Sequence, residues 1–514
     1  MARPRGCLRP TTKLDREDSI VKRIGLALAA SAVFLMSGCS PETDAPTGPK
    51  TRPFEGQSIY IIVPKLDARL IRGPILDEVA AFEARTGAKV RVLTPGWNET
   101  IEKIDQSLKS PDTNFDIYVA ISMWSGTLLG GNHIEPVPEA VKRQVDWDDV
   151  LPIYRNTVLS WNNVAYGLPY DGDCINLYYR KDMFANPEYQ SRFRKRYGYD
   201  LAPPATWQEY RDIAEFFTGW DWNGDGKPDY GIAGSRIKGD ISALQFFAQA
   251  AAFAKHPDDP AYYFDPETLK PRIDNPGFVR ALQTWVDTMK FGPPGMANFA
   301  GHDVRNAFVS GRAAMAIDWA DMGVHAVASP VSVVKDVIGY AQLPGSAEVF
   351  DARAGRWDKR PNQVSSISGN WTFFVSRASK HKELAFEFAA HMTSKELTRK
   401  LTAMSGTAVN PSRRSHFADP AAWNQSGFAT ESARAYLEAI TQSLSNPNVV
   451  YDITIPGAGE YYQAFDSIAY KAVTRELSAK QALVQAAAEW EKITDRLGRD
   501  KQVAYYRASL NIDH

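Results

Sequence analysis

The segment Gly219–Gly234, GWDWNGDGKPDYGIAG, spaces oxygen-bearing side chains as a calcium-binding loop does. Positions 1, 3, 5 and 9 of that loop pattern are filled by Asp221, Asn223, Asp225 and Asp229. Gly226 falls where the chain must turn sharply, but Ile232 stands where the pattern requires a bidentate Glu. The segment therefore predicts a structural calcium loop and not a calcium sensor. A polar turn without metal is the alternative interpretation.

Aromatic, acidic and amide side chains also gather where strand-like segments begin or end. Four such places hold Trp124; Tyr170, Asp171 and Asp173; Asp318, Trp319 and Asp321; and Asn370 and Trp371. Aromatic rings cover the apolar C–H faces of a sugar, and charged or amide groups bind its hydroxyls. Side chains of these types suit a small-molecule carbohydrate, with the tryptophans stacking and Asp171, Asp173 and Asp321 accepting hydroxyl protons. Core packing is the alternative for each tryptophan, and a helix cap or surface turn for each aspartate.

The N-terminus carries the pattern of an export signal. Residues 24–36 are uncharged and mostly apolar, and they follow Lys22 and Arg23. The run is too short to span a bilayer, which takes about 20 apolar residues. It ends in LMSGC, which resembles a bacterial lipobox, with Met36 where Leu is usual. We therefore expect residues 1–38 to be a signal peptide and Cys39 to be lipidated; an ordinary signal peptide with a chance cysteine is the alternative.

Two further features of this end follow from composition. Residues 1–20 contain three acidic side chains, which signal peptides avoid near their start, so we expect translation to begin at Val21. Residues 39–56 are rich in Pro, Thr and acidic residues and predict a flexible tether.

Cysteine count and charge limit the function of the remaining chain. Of three cysteines only Cys174 lies beyond the targeting region, so an internal disulfide is impossible, and we interpret Cys174 as a small buried residue rather than a nucleophile. Without residues 1–38 the chain keeps 52 of 59 basic and 57 of 60 acidic residues, a net charge of −5. This mildly acidic body argues against a nucleic-acid partner. A chain of 514 residues predicts two domains.

The hydrophobic pattern indicates an α/β fold. Strand-like segments at Ser58–Val63, Lys89–Leu93 and Phe115–Ala120 alternate with helical segments, which predicts parallel pairing with ligands beyond the carboxyl ends of the strands. Thr206 and Glu209 have the spacing of a capping box. Later in the chain, WTFFV at residues 371–375 predicts a further strand, and residues 345–366 predict a long irregular loop.

Several segments together resemble the extracellular solute-binding proteins of sugar ABC transporters, the family that includes maltose-binding protein. The similar blocks occur in the family's order and span nearly the whole mature chain; they are YGLPYDGDCINLYYRKDMF, PATWQEYRDIA, AFVSGRAAMAIDWADMG, SRASKHKELAFEFAAHMTSKE, GTAVNPSRRS and SAKQALVQAAAEWEKI. The chain is longer than a typical member, and the excess lies in residues 183–202, 219–270 and 345–366. The segment PKLDARLIRG departs from the sugar-binding members and makes Asp67 a further candidate.

The resemblance implies a two-lobed periplasmic-binding-protein fold of type II. Each lobe is expected to be a mixed, mostly parallel sheet flanked by helices, with strands crossing between the lobes. The boundaries expected are 57–165 with 337–402 for lobe 1, and 166–336 with 403–514 for lobe 2, which carries the calcium-like insertion at 219–234. Family members also use the positions that match Arg413 and Tyr462 for ligand binding.

The resemblance further implies a binder without a catalytic step. Such a protein captures a sugar or oligosaccharide between its lobes and delivers it to an ABC permease in the cytoplasmic membrane. We expect a monomeric lipoprotein on the periplasmic side or cell surface, attached to the membrane through its N-terminal lipid. A structural Ca²⁺ ion is the one cofactor expected.

Two other classes of protein remain as alternatives. A secreted glycoside hydrolase would need a pair of acidic residues, which the spacing of Asp and Glu does not exclude. The chain contains no G-x-S-x-G, H-E-x-x-H or P-loop motif. An interaction lipoprotein without a small ligand is the second alternative. A polyol and a phosphodiester also remain open as ligands.

Overall fold

The structure is a computed structural model that describes residues 52–66, 69–110, 115–239 and 241–512. The signal peptide, Cys39 and Asp67 lie outside the described residues. Within the described residues no helix is both long and apolar enough to cross a membrane.

The described residues form fifteen strands. They are β1 Ser58–Ile62, β2 Lys89–Leu93, β3 Ile117–Ile121, β4 Ser160–Trp161, β5 Val164–Ala165, β6 Gly167–Pro169, β7 Ile175–Arg180, β8 Tyr230–Ala233, β9 Ala313–Trp319, β10 Ile338–Ala341, β11 Val349–Asp351, β12 Arg356–Asp358, β13 Ser365–Ile367, β14 Trp371–Val375 and β15 Val449–Tyr451.

The described residues also form eighteen α-helices. They are α1 Arg72–Thr86, α2 Trp97–Lys109, α3 Ser122–Gly130, α4 Glu139–Gln144, α5 Lys181–Phe184, α6 Pro187–Tyr197, α7 Trp207–Phe217, α8 Ser242–Ala254, α9 Pro276–Asp287, α10 Gly301–Val309, α11 Asp321–Ala328, α12 Lys382–Met392, α13 Lys395–Thr402, α14 Arg414–Phe417, α15 Thr430–Ser445, α16 Ala458–Val473, α17 Ala479–Leu497 and α18 Arg499–Ser509.

The first sheet has the strand order β2-β1-β3-β14-β6. The strands β2, β1 and β3 are parallel, as the alternating pattern predicts, while β14 runs antiparallel to both β3 and β6. All five residues of β3 and of β14 are buried, because helices cover both faces of the central strands. Helix α1 ends at Thr86, and Gly87 caps it with a left-handed φ of 79°.

The second sheet has the order β10-β7-β9-β8. Only β8 and β9 are parallel; β7 runs antiparallel to both of its neighbours. Helix α7 begins after Thr206, whose hydroxyl accepts the N–H of Glu209, as predicted. The two-lobed fold of mixed sheets is confirmed, with a larger share of antiparallel pairs than expected.

The structure corrects three sequence predictions, which are two lobe boundaries and one long loop. The strand β6 lies in the first sheet and β10 in the second, so the lobe boundaries expected at residues 166 and 337 each assign one strand to the wrong lobe. The segment 345–366 is not irregular, because β11 and β12 form an antiparallel hairpin. Phe350 and Trp357 pack with ring centroids 5.6 Å apart, and the guanidinium of Arg280 lies 3.6 Å from the ring centroid of Trp357. These contacts with α9 stabilise strands too short to be recognised from their pattern.

Candidate functional site

The register of the first sheet brings three predicted segments to one edge. The last residue of β3, Ile121, pairs with Trp371, and Thr372 pairs with Pro169 at the end of β6. Helix α3, which carries Trp124, therefore starts beside the start of β14. The carboxyl end of β6 continues directly into Tyr170 and Asp171 at the same edge.

The second sheet contributes the corresponding edge. Trp319 at the end of β9 pairs with Ile175 at the start of β7. Residues 170–174 link β6 to β7, so this short connection runs from the edge of one sheet to the edge of the other. The candidate site is built around this connection.

A cluster of three tryptophans forms the aromatic part of the site. The ring centroids of Trp97 and Trp124 are 4.6 Å apart, and Trp371 lies edge-on at 6.2 Å from the first and 6.1 Å from the second. Trp124 and Trp371 are buried and Trp97 is half-buried. The indole N–H of Trp124 is buried without a hydrogen-bond partner, which is costly for a polar group.

A pair of buried aspartates lies on the connection between the sheets. The side-chain amide of Asn410 donates to Oδ1 of Asp171, at 3.1 Å, and also to Oδ1 of Asp173. The backbone N–H of Asn410 donates to Asp171 at 2.8 Å, and the side-chain amide of Asn370 donates to the carbonyl of Asp173 at 3.1 Å. The second oxygen of Asp171 is buried and has no hydrogen-bond partner.

Burial makes this pair retain protons. It raises the pKa of Asp171 to about 7, against the opposing hydrogen bonds from Asp173 and Asn410. Burial, and then the negative charge of Asp171, raise the pKa of Asp173 well above its usual range. The charge of Asp321 raises both pKa values further.

Arg305 on α10 joins the two acidic residues that flank Trp319. Its guanidinium makes two hydrogen bonds to Asp318, both at 2.9 Å, and two to Asp321, at 2.7 and 2.8 Å. Burial raises the pKa of Asp318, and the charge of Arg305 opposes that shift. This bidentate pairing occupies all four carboxylate oxygens, so Asp318 and Asp321 orient Arg305 and are less available to a ligand than predicted.

Trp319 connects the second sheet to the segment before β14. Its indole N–H donates to the carbonyl of Ser368 at 2.7 Å. Gly369 follows with a φ of +88°, and a Cβ at this position would lie 2.9 Å from the indole nitrogen of Trp319. Glycine is therefore required there both by backbone conformation and by the close approach of the indole.

Two predicted ligand contacts are instead parts of the core. Tyr170 is fully buried, its hydroxyl donates to the carbonyl of Ile71 at 3.1 Å, and its ring packs against Phe373 at 5.2 Å. Arg413 is also fully buried, and it donates to the backbone carbonyls of Val145, at 2.8 Å, and of Thr393. Their hydrogen-bonding groups tie together loops of the first lobe, so the prediction of ligand contact is wrong for both.

Tyr462 is also buried, and its ring packs against Phe247 with centroids 5.9 Å apart. Its hydroxyl accepts the N–H of Ile453 at 3.0 Å and donates to Asp452 at 3.4 Å. Cys174 is buried, and burial raises the pKa of its thiol to about 12, which agrees with its interpretation as a small buried residue.

Sequence reasoning missed two residues of this site. Trp97 follows β2 by four positions, so the strand-end rule that selected Trp124 also points to it. Asn410 lies three positions before Arg413 in the turn that the family resemblance had already marked, and the wrong member of that turn was chosen.

This region contains four buried polar atoms without partners. They are the indole N–H of Trp124 and three oxygens, Oδ2 of Asp171, Oδ1 of Asn370 and Oδ1 of Asn410. Buried polar groups in proteins are nearly always hydrogen-bonded. Their concentration beside three tryptophans indicates that a polar ligand completes the site.

The calcium-like loop satisfies its carboxylates internally. Asp221 accepts the N–H groups of Gly224, at 2.8 Å, and Gly226, at 3.0 Å. Asp229 accepts the N–H of Trp222 at 3.1 Å and the side-chain amide of Asn223 at 3.1 Å. Among the described residues, no three His, Cys, Asp or Glu side chains are grouped to hold a metal ion. The bonding is that of a polar turn, and calcium binding stays a prediction.

The chain belongs to the bacterial extracellular solute-binding proteins, because the model of that family matches residues 78–430. A mannitol-binding protein of Pseudomonas aeruginosa is 25% identical over 411 residues, which are 78% of this chain and 85% of that protein.

Two solved structures of solute-binding proteins have the same fold. One, from Agrobacterium radiobacter in complex with ribitol, has a TM-score of 0.65 at 18% identity and covers 86% of this chain and 100% of that one. The other, the maltose-bound MalE3 of T. maritima, has a TM-score of 0.64 at 20% identity and covers 85% and 99% of the two chains. At these identities the similarity establishes the fold alone.

Proposed function

We propose that this protein is the solute-binding component of an ABC importer and that it captures an uncharged polyhydroxylated solute, either a polyol or a small sugar. The observation that carries the proposal is the group of unpaired buried atoms beside Trp97, Trp124 and Trp371. A hydroxyl both donates and accepts, so several hydroxyls on one ligand satisfy the indole N–H and the three oxygens together, whether or not Asp171 carries its proton. The relatives that bind mannitol, ribitol and maltose support this class of ligand.

The charge of the site favours a ligand without negative charge. Asp171 and Asp173 lie at the site, and the guanidinium of Arg305 is already bound by two carboxylates. An anionic group would lose its hydration here without a free cation among these residues to pair with it. Sugar acids, sugar phosphates and phosphodiesters are therefore excluded by this proposal.

Binding is proposed to be the whole activity, without a chemical step. The bound solute passes to a permease in the cytoplasmic membrane, and the protein stays near that membrane through a lipid on Cys39. Family membership supports the binding role, and the LMSGC motif supports the anchor.

Calorimetric titration and thermal shift with D-mannitol, ribitol, maltose and gluconate test the ligand class. We expect at least one of the three uncharged compounds to bind with micromolar affinity, equivalent to about −8 kcal/mol. At 100 times its Kd the bound compound should stabilise the protein by about 2.7 kcal/mol. Gluconate resembles a hexitol in length but carries a carboxylate, so it should not bind. Binding of gluconate, with no binding of the three uncharged compounds, would contradict the proposal.

A pair of tryptophan variants locates the site. Trp124→Ala should weaken binding about tenfold or more, because it removes a ring of the cluster and the unpaired indole N–H. Trp423→Ala is the matched control, since Trp423 is equally buried but packs against Phe428 and Tyr436 outside the site. The control should lose stability in denaturant while its affinity is unchanged. Equal affinity in Trp124→Ala and the wild type would place the ligand elsewhere.

A further inference from the structure

One buried carboxylate outside the predicted set, that of Asp452, lies where three chain segments meet. It directly follows β15 and is 6% exposed. Its oxygens accept the hydroxyls of Ser122 and of Ser368, the latter at 2.6 Å, and the backbone N–H of Gly369 at 2.9 Å. The hydroxyl of Tyr462 on α16 donates to it at 3.4 Å. Four donors from three separate segments thus converge on one side chain.

The register of the two-stranded β13–β15 sheet explains why Asp452 reaches this position. The strands β13 and β15 are parallel, and Ile367 pairs with Tyr451. Ser368 and Asp452 are the next residues of the two strands, so they lie side by side at the carboxyl ends. A short parallel pair therefore carries the carboxylate to the segment that leads into β14.

Two of the four donors stand two positions before a tryptophan of the site. Ser122 is the first residue of α3 and precedes Trp124, while Gly369 precedes Trp371 at the start of β14. The backbone also joins the two segments, because the N–H of Ser122 donates to the carbonyl of Asn370 at 3.0 Å. The carboxylate thus bridges the starts of both elements that carry these rings.

We propose that Asp452 is a positioning residue that holds Trp124 and Trp371 in one fixed arrangement for the ligand and ties that arrangement to α16. The inference rests on the proposed function, because the arrangement matters for a ligand that stacks on these rings. Asp452 itself does not contact the ligand. It acts through Ser122 and Gly369, as a supporting shell does for residues that bind directly.

The common attachment depends on one oxygen of this side chain. Oδ2 accepts both the hydroxyl of Ser122 and the backbone N–H of Gly369, while Oδ1 accepts the hydroxyls of Ser368 and Tyr462. Asp452→Ala removes both oxygens, so the starts of α3 and β14 lose their common attachment.

Ligand binding and amide hydrogen exchange of Asp452→Ala test the inference. We expect at least a tenfold loss of affinity for the compound that the wild type binds, mainly through faster dissociation. Without ligand, exchange should become faster in 122–124 and 369–371 together, since one attachment serves both.

Asp116→Ala is the matched control. Asp116 is a buried aspartate at the opposite end of β3, where it accepts the N–H of Tyr60 at 2.8 Å and the hydroxyl of Ser379. Its substitution should lower the free energy of unfolding without a change in affinity or in exchange at 122–124 and 369–371.

Ser122→Ala keeps the carboxylate and removes one of its donors, so it serves if Asp452→Ala does not fold. It should reduce affinity and speed exchange in 122–124. In a double-mutant cycle, adding Ser122→Ala to Asp452→Ala should cost less than Ser122→Ala costs alone, because the two share one hydrogen bond.

The outcomes separate the two proposals. If the wild type binds none of the uncharged compounds, the proposed function fails, whereas the exchange measurement still tests the attachment. If the wild type binds and Asp452→Ala binds as tightly, with unchanged exchange in both segments, the role assigned to Asp452 is wrong.

Discussion

At the scale of single residues, Asp171 is in an unusual environment for a carboxyl group. It is 1% exposed, one of its oxygens is bonded to Asn410, and the other has no partner. Burial holds its pKa at about 7, where an ordinary aspartate has a pKa near 3.9. A group of this kind couples the free energy of unfolding to pH.

The direction of that coupling follows from proton counts. Between about pH 4 and pH 7 the unfolded chain has released the Asp171 proton while the native state retains it. The native state then binds more protons, so stability falls as pH rises through this window, by up to about 1.4 kcal/mol per pH unit. Buried His416, with its pKa lowered to about 3, acts in the opposite direction over much of the same range.

We therefore predict how the free energies of unfolding of the wild type and of Asp171→Asn differ across pH, rather than the pH trend of the wild type alone. In urea unfolding from pH 4.5 to 7.5, wild type should lose stability relative to Asp171→Asn, because asparagine has no proton to release. His416 is present in both proteins and cancels from the difference. A constant difference across the window would show that Asp171 is ionised normally in the folded state.

At the scale of elements, the sequence predicted the strands and helix starts that depend on a local residue pattern. The strand β14 was found because all five of its residues are buried, β1 and β2 because their apolar residues recur at strand spacing, and the start of α7 because of the Thr206 cap. The β11–β12 hairpin was missed because each strand has three residues and depends on the contact of Trp357 with Arg280 from α9. Contacts of this kind leave no periodicity in the sequence.

The site was predicted in part for the same reason. Trp124, Asp171, Asp173 and Trp371 were found because each lies next to a recognisable strand. Asn410 was missed because its role depends on a turn that returns to Asp171, which is 239 positions away. Tyr170 and Arg413 were chosen by neighbourhood and resemblance, and only the structure shows that their polar groups bind backbone carbonyls.

The Gly219–Gly234 turn is the element for which we predict metal binding. We propose that it binds Ca²⁺ and predict that millimolar calcium raises the Tm of the wild type relative to chelator. The variant Asp221→Asn with Asp225→Asn should fold with the same turn, because each asparagine keeps an oxygen for the N–H groups of residues 224, 225 and 227, and only the bond from the N–H of Gly226 is lost. It should not respond to calcium, because hard cations prefer charged carboxylates.

The comparison separates metal binding from turn stability. Chelator should lower the Tm of the wild type alone, and both proteins should have similar Tm values in its presence. If chelator leaves the wild type's Tm unchanged, the segment is a polar turn whose carboxylates serve only backbone N–H groups.

At the scale of the whole molecule, the site depends on two sheets ending at a common place. The connection 170–174 starts at the carboxyl end of β6 and ends at β7, and the segment 368–370 leads from β13 into β14. Trp319 of the second sheet bonds to Ser368, so the two connections are held together beside the aspartates. An α/β protein places ligands where such strand ends meet, and here both connections carry residues of the proposed site.

Delivery of a solute to a permease also depends on where the molecule is held. We predict that Cys39 carries a diacylglyceryl group, because LMSGC follows a basic segment and a short apolar run. Buried acyl chains contribute about 0.8 kcal/mol per CH₂ group, and two chains suffice for stable attachment. Cys39→Ala should therefore move the protein from the membrane fraction to the soluble fraction when cells are fractionated.

Cys174→Ala is the control, since Cys174 is buried in the folded body and its substitution should leave attachment unchanged. Mass spectrometry of the N-terminal peptide should show the lipid on Cys39 in both the wild type and this control. Membrane association of Cys39→Ala equal to that of the wild type would refute the anchor.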